Sequence, residues 1–540
     1  MNSIYTFNLK GSAKMVRALF LLVTLIASAS IQAQTMDQSL FGGLKYRNIG
    51  PHRAGRTVGI SGVVSQPNVF YIGVNNGGVW KTTDYGHTWN PIFDAQKTGS
   101  VGDVIVAPSN PNVIYVGSGE GIQRPDLSIG DGLYKSTDAG KTWMRLGLND
   151  AQQIGGLSVD PVNENRIFVA ALGHPYGPNK ERGVYRSLDG GKTLEQVLYI
   201  DENTGAVQVM IDPNHPNIVF ATMWAARQGP WENGAWNGEA SGLYKSTDGG
   251  ENWTRIGLDS TEHISRIVLA PKDPNTLYVA APGPLWSSSP HRGLYKSTDG
   301  GKSWTKLLYI DDKTGCAEVL IDPNNPEIVY ASMWQFRRTP FSFASGGPGC
   351  GLYKSTDGGK SWNKLTNGLP TGEIGRIAMT LAPSDPNKLF AIVEAKKTSL
   401  YLSTDAGATW SERSSNGNVE ARPFYFSTIA VDPKDAKRVY RPSFSLSISD
   451  DGGLSWTESN NSSGWVHSDH HAIWINPNNP SQLYLGTDGG VYMSLDKGNN
   501  FIFLNNIPVS QFYHVAIDKA DPYNVYGGLQ DNGSWVAPSQ

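Results

Sequence analysis

The 540-residue chain carries 45 Lys and Arg against 48 Asp and Glu, a formal net charge of −3. So even a balance excludes bulk electrostatic attraction to nucleic acid or to an anionic membrane as the basis of function. The two cysteines, Cys316 and Cys350, exclude a disulfide-dense scaffold and leave either one bridge or two free thiols.

From Met15 the chain reads Met-Val-Arg-Ala-Leu-Phe-Leu-Leu-Val-Thr-Leu-Ile-Ala-Ser-Ala-Ser-Ile-Gln-Ala-Gln, a basic start, a short apolar run and a small-residue exit near Ala33. This predicts a secretory signal peptide over residues 1–33, too short for a spanning helix, and hence a secreted or periplasmic protein. No cysteine lies near the exit, so a lipid anchor is not expected, and no later segment has the apolar length of a membrane span.

Beyond the leader one short phrase recurs nine times, and its clearest copy is Gly-Leu-Tyr-Lys-Ser-Thr-Asp-Gly-Gly-Lys-Ser-Trp at Gly293 to Trp304. Its core, Ser/Thr-x-Asp-x-Gly, places aspartates at Asp84, Asp138, Asp189, Asp248, Asp299, Asp357, Asp405, Asp451 and Asp496, 45 to 59 residues apart. A carboxylate that accepts from the backbone N–H groups after it, followed by a glycine free to take positive φ, is the chemistry of a tight hairpin. Trp closes seven copies, with Leu194 and Phe501 in the third and ninth, and the ring is expected to bury itself against the next repeat. A second phrase precedes the hairpin, as in Leu-Ile-Asp-Pro-Asn-Asn-Pro-Glu-Ile-Val-Tyr-Ala from Leu320, and reads as strand, turn, strand. Four strands per unit at this period predict an all-β fold, a β-propeller of four-stranded antiparallel blades.

The spacing shortens after Asp357 and a polar stretch, Ser411 to Val419, follows the seventh hairpin. Residues 34–413 are therefore expected to form a seven-bladed propeller and 414–540 the start of a second, incomplete one. A tenth unit opens at Phe512 without its hairpin phrase, so the chain reads as part of a longer protein. The alternative is one ten-bladed propeller in which the segment Gly42 to Ile49 lends the closing strand.

Loops between second and third strands open opposite the hairpins, where propellers bind ligands. Three of them carry aromatic cargo: Trp224, Trp231, Glu232 and Trp236 in one, Trp286 in the next, and Trp334 with Phe336, Arg337 and Phe341 in the third. Such rings either pack over the blade tops or form a platform for a sugar. Polar groupings stand on the same side. Arg47, His52, Arg53 and Arg56 enter the first inner strand, Glu120, Arg124 and Asp126 share a loop, and His467, Asp469, His470 and His471 lead into a late inner strand. Alternation puts His467, Asp469 and His471 on one side. Three ligands on one strand rarely converge on a metal, so this cluster is read as hydrogen-bonded or ligand-binding, and no metal or cofactor is expected.

The hairpin phrase resembles the Asp-box, or BNR repeat, of sialidases, xyloglucanases, sortilin-type receptors and photosystem II assembly factors. The resemblance covers nearly all of the chain after the leader, and it implies that the box lies on the turn between the third and fourth strands, remote from the ligand face, as a structural element. Likeness to the xyloglucanases further implies two aspartates facing each other across a cleft between two propellers. On the turn that matches the family's first aspartate, Gly73 to Gly78, Asn75 stands instead, and an amide cannot act as a general base. Similar turns keep Asp488 and Asp531, and together with Glu120 these are the candidate catalytic carboxylates. The expected partner is a polysaccharide or oligosaccharide, contacted by Arg53, Arg56, Asn75, the five tryptophans, His467, Asp469 and His470. The alternative is a non-catalytic propeller of sortilin type that holds a peptide or protein.

Overall fold

The computed structural model describes residues 37, 43 and 48–540, apart from 54, 85, 122–126, 228–239, 259, 272, 340, 459–465, 505 and 508. The expected signal peptide lies outside the described residues. The chain divides into two units, Met1–Ile49 and Gly50–Gln540. The second is all-β, its one α-helix a single turn, Gly417–Glu420. Among the described residues no helix is long and apolar enough to cross a membrane.

Ten antiparallel sheets follow one another along the chain, each pairing its strands in sequence order. The first runs through Thr57–Val63, Gln66–Val74, Gly78–Thr82 and Asn90–Pro91. The sixth adds a short strand, Ser342–Ser345, beside Val329–Thr339. The tenth has three strands, Phe512–Ile517, Asn524–Leu529 and Ser534–Pro538. Four-stranded meanders stacked face to face are the blades of a β-propeller.

The stacking is apolar. Phe168 and Val184 of the third sheet meet Val209, Val219 and Ala221 of the fourth, and Val, Ile, Leu and Ala likewise fill the two seams before it. Phe390, Ile392 and Leu400 of the seventh sheet share one cluster with Val431 and Val439 of the eighth. After the ninth sheet, Ile507 and Val509 lie against Ile72, Val74 and Trp80 of the first, while the Asn506 amide donates to the carbonyls of Gly86 and His87.

In each of the first nine sheets the Ser-x-Asp turn joins the third strand to the fourth, as expected. The fifth is typical: the Ser297 hydroxyl donates to Asp299 Oδ1 at 2.7 Å and accepts from Gly301 N at 2.8 Å. Asp299 then accepts from Ser303 N at 2.9 Å and from the Ser303 hydroxyl at 2.6 Å. The glycine two residues past each aspartate has φ between 86° and 97°, a region L-residues resist. At Gly140 a Cβ would also stand 2.5 Å from the Ile92 side chain, so glycine is needed both for the turn and for the approach of the neighbouring sheet.

The tryptophans correct one expectation. Trp143 and Trp304 reach the preceding sheet, not the next, while Trp253, Trp362 and Trp410 donate to a glycine carbonyl of their own turns. Trp143 Nε1 donates to Ile92 O at 2.7 Å and meets Phe93 edge-on at 5.2 Å, and Trp304 Nε1 donates to Ile256 O at 2.9 Å. Ile92 and Ile256 follow directly after the fourth strands of the preceding sheets, where a backbone carbonyl is left outside the ladder and within reach of an indole N–H. Contacts to the next sheet come from Lys and Tyr instead. Lys296 Nζ and Tyr278 Oη both donate to Gly358 O, at 2.9 and 3.0 Å.

Of the two states left open for Cys316 and Cys350, the structure has the second: both thiols are free and buried. Cys316 lies in the inner strand Thr314–Ile321, and Cys350 Sγ accepts from Gln335 N at 3.0 Å inside a cluster of Ala317, Trp334 and Phe336. Burial raises both thiols, Cys350 to about 11, so neither is a ready thiolate.

Candidate functional site

Loops between second and third strands shape the opposite end of the sheets. In the ninth sheet the turn between Leu483–Thr487 and Gly490–Ser494 carries Asp488, and in the tenth the turn between Asn524–Leu529 and Ser534–Pro538 carries Asp531. Both aspartates line a cavity of about 270 Å³ together with Arg53, Arg56, Gln511, Gln530 and Asn532. Four residues singled out in the sequence, two carboxylates and two guanidiniums, thus converge although Arg53 and Asp531 come from opposite ends of the chain. The segment after the ninth sheet holds them together: Arg53 N donates to Val509 O at 3.2 Å and the Ser510 hydroxyl to Pro51 O at 2.7 Å.

Asp488 Oδ1 lies 2.9 Å from His471 Nε2, with about a third of its side chain exposed. Its carboxyl is pushed above the usual range by burial, and by the charges of Asp531 and Asp469, against the opposing pull of His471. Asp531 is exposed. Its Oδ2 accepts from Gln530 Nε2 at 2.8 Å.

The histidines do not share a side as alternation had suggested, because the strand begins only at His470 and Asp469 before it has φ of 60°. His467 and His470 are buried while His471 is exposed at the cavity's edge. His467 Nε2 lies 2.7 Å from Asp531 O, tying the ninth sheet to the turn of the tenth, and His470 Nε2 lies 2.7 Å from His467 O. Burial lowers His470 to about 4. Among the described residues no group of His, Cys, Asp and Glu has the arrangement of a metal site.

Glu120 and Asn75 are placed elsewhere, in the seam of the first two sheets. Both are about 1% exposed. Asn75 Nδ2 donates to Glu120 Oε2 at 3.2 Å, and Ser128 N donates to Oε1 at 2.9 Å. Glu120 therefore braces a loop and does not line the cavity. Asn75 borders a neighbouring void of about 20 Å³ that shares Arg56 and Gln511 with the cavity, space for one water.

Among the described residues, Trp224, Trp286 and Trp334 are placed differently from one another. Trp334 is 9% exposed, stacked on Phe336 at 4.4 Å under the Arg376 guanidinium. Trp286 is 40% exposed. Trp224 lines a separate cavity of about 400 Å³ between the fourth and fifth sheets, with Leu258, His263 and Ile267. Trp231, Glu232, Trp236, Arg47, Arg124 and Asp126 lie outside the described residues.

Sequence reasoning missed the aromatics beside Asp488. Tyr425 and Phe426 have ring centroids 6.1 Å from His471, and Phe444 meets Phe426 at 5.1 Å. Tyr425 is 53% exposed. Across the cavity Arg53 lies over the rings of Phe503 and Trp535, at 5.5 and 5.1 Å. The run Pro-Phe-Tyr-Phe at Pro423 to Phe426 was the available signal, set in a connector between sheets where no long loop drew attention.

A family model described as sortilin, neurotensin receptor 3, matches residues 182–325. A xyloglucanase of a Paenibacillus species is 22% identical over 519 residues, 84% of this chain and 47% of its own length. An oligoxyloglucan-reducing end-specific xyloglucanase of Emericella nidulans is 22% identical over 466 residues, 75% of this chain and 52% of its own. The chain spans about half the length of these relatives. Among solved structures, the Niastella koreensis GH74 enzyme aligns with a TM-score of 0.35 at 17% identity, covering 89% of this chain and 83% of that one. YCF48 bound to a D1 peptide aligns at 0.32 and 12%, covering 76% and 96%. The chain is a β-propeller protein that resembles xyloglucanases and sortilin.

Proposed function

We propose that this chain is an exported, glycan-facing propeller protein with a glycoside-hydrolase-like site at Asp488 and Asp531. The observation that carries the reading is their shared cavity, in which the two carboxylates differ in environment. Asp488, raised by burial, suits a proton donor to a glycosidic oxygen, and Asp531 suits the carboxylate that activates water or attacks the sugar. Tyr425, half exposed and set edge-on to His471, is the aromatic side chain nearest the carboxylates that a sugar ring could meet. The curated relatives named for xyloglucan make plant-type β-glucans the first substrates to try.

The organisation proposed with it is a first propeller over 34–413 and the opening of a second over 414–540. The contact of Ile507 and Val509 with the first sheet favours the other reading, one ten-bladed propeller. The sortilin match over 182–325 likewise favours a second functional reading, a peptide-binding propeller without catalysis.

Reducing-sugar release from xyloglucan oligosaccharides by the full chain tests the proposal, with Asp488→Asn and Asp531→Asn as controls. Release that disappears in both variants supports it. Undiminished turnover in the double variant overturns the site, and tight retention of a peptide with no response to any glycan favours the second reading.

A further inference from the structure

The cations of this site are handled unlike most others in the molecule. Arg166, Arg186 and Arg438 are each closed by a carboxylate, Arg166 by Asp160 at 2.8 Å and Arg186 by Glu195 and Glu251 at 2.7 Å. The fully buried Arg182 and Arg292 are closed by backbone carbonyls of their own loops. Arg53 and Arg56 border two aspartates, yet among the described residues neither has a carboxylate within ion-pair distance or a side-chain hydrogen bond. Arg53 is steadied instead by the faces of Phe503 and Trp535, which fix a guanidinium without consuming its donors.

A neutral sugar seated here would offer hydroxyl acceptors to the guanidiniums in place of the water it displaces, but no charge. A carboxylate on the sugar would accept paired N–H donors in the planar geometry that arginine presents. Asp531 fixes its orientation, because a carboxylate turned toward it would meet like charge, and a protonated Asp488 would offer its proton to the glycosidic oxygen. The acid must point toward Arg53 and Arg56 while the glycosidic oxygen faces the aspartates.

We propose that the cavity takes a uronic acid unit, its carboxylate held by Arg53 and Arg56, so that the substrate class is an acidic glycan. This rests on the glycan reading of the same cavity. The test measures binding by the full chain, at low salt, of tetragalacturonate, its methyl ester and a xyloglucan heptasaccharide, with Arg53→Gln and Arg56→Gln as variants whose melting is checked in parallel. The expected result is a preference of about tenfold or more for the acid over its ester, reduced toward parity in each variant. If Arg53→Gln melts early, Arg56→Gln, at an exposed position, decides the matter alone. Equal affinity for acid and ester, or a preference that persists in Arg56→Gln, overturns the inference. Binding of the xyloglucan heptasaccharide without any preference for acid leaves the glycan reading standing and removes only this one. Failure of all three sugars to bind removes both.

Discussion

The two ends of the sheets are built on opposite plans. At the hairpin end nine turns repeat one hydrogen-bond pattern nearly unchanged, from Thr82 and Asp84 in the first sheet to Ser494 and Asp496 in the ninth. At the other end the corresponding loops vary in length, from the three residues Asn75 to Gly77 to the eleven residues between Ala171 and Gly183, and among the described residues two aspartates and two arginines meet at the cavity between the ninth and tenth sheets. Repetition marks where the chain invests in stability, and variation marks where chemistry is available. A substitution should therefore move melting at one end and ligand response at the other.

The largest effect is expected at the variable end. Asp488→Asn should lower glycan hydrolysis by about 10²–10⁴-fold, the range for loss of a general acid, with melting nearly unchanged. Loss of melting instead would erase the contrast between the ends. Trp334→Ala sharpens it from the other side, since this loop residue is packed like core and its truncation should cost about 3–5 kcal/mol by chemical denaturation. Trp286→Ala, at an exposed ring, should stay within about 0.5 kcal/mol.

At the repeating end, Ser297→Ala leaves the buried Gly301 N–H without its acceptor and should cost about 1–3 kcal/mol, with glycan binding intact. Acid should act on all such turns together. Hydrogen bonds from Thr142 and Ser136 hold Asp138 near 2 against an ordinary 3.8, and Asp189, Asp248 and Asp405 are lowered alike. A depressed folded-state value means that the stabilisation is complete above about 4 and is lost as pH falls toward 2. Melting followed across that window should decline steeply, and a flat profile would show that the aspartates do not support the turns.

The repeating end was legible in the sequence because its chemistry is local. Ser297, Asp299 and Gly301 lie within five positions, and their spacing alone specifies the turn. The candidate site was legible only residue by residue. Glycine-rich turns drew attention to Asp488 and Asp531, and a cluster of basic residues to Arg53 and Arg56, but their meeting depends on the segment around Val509 lying against the first sheet, a contact between distant parts of the chain. The length of the tryptophan loops pointed elsewhere, while Tyr425 and Phe426, on an unremarkable connector, lie near Asp488 through His471. Glu120 looked available in sequence and proved to be a buried acceptor, because whether a loop carboxylate turns outward or inward is decided by partners such as Asn75 on the neighbouring sheet.

The backward reach of Trp143 and Trp304 gives assembly a direction. A repeat leaving the ribosome finds the surface its indole needs already made, since Trp143 clasps Ile92 and Trp304 clasps Ile256, both earlier in the chain. The first repeat alone is out of order. Trp89 packs with Ile507 and Val509, synthesised more than four hundred residues later, so the oldest part of the molecule waits longest for its cover.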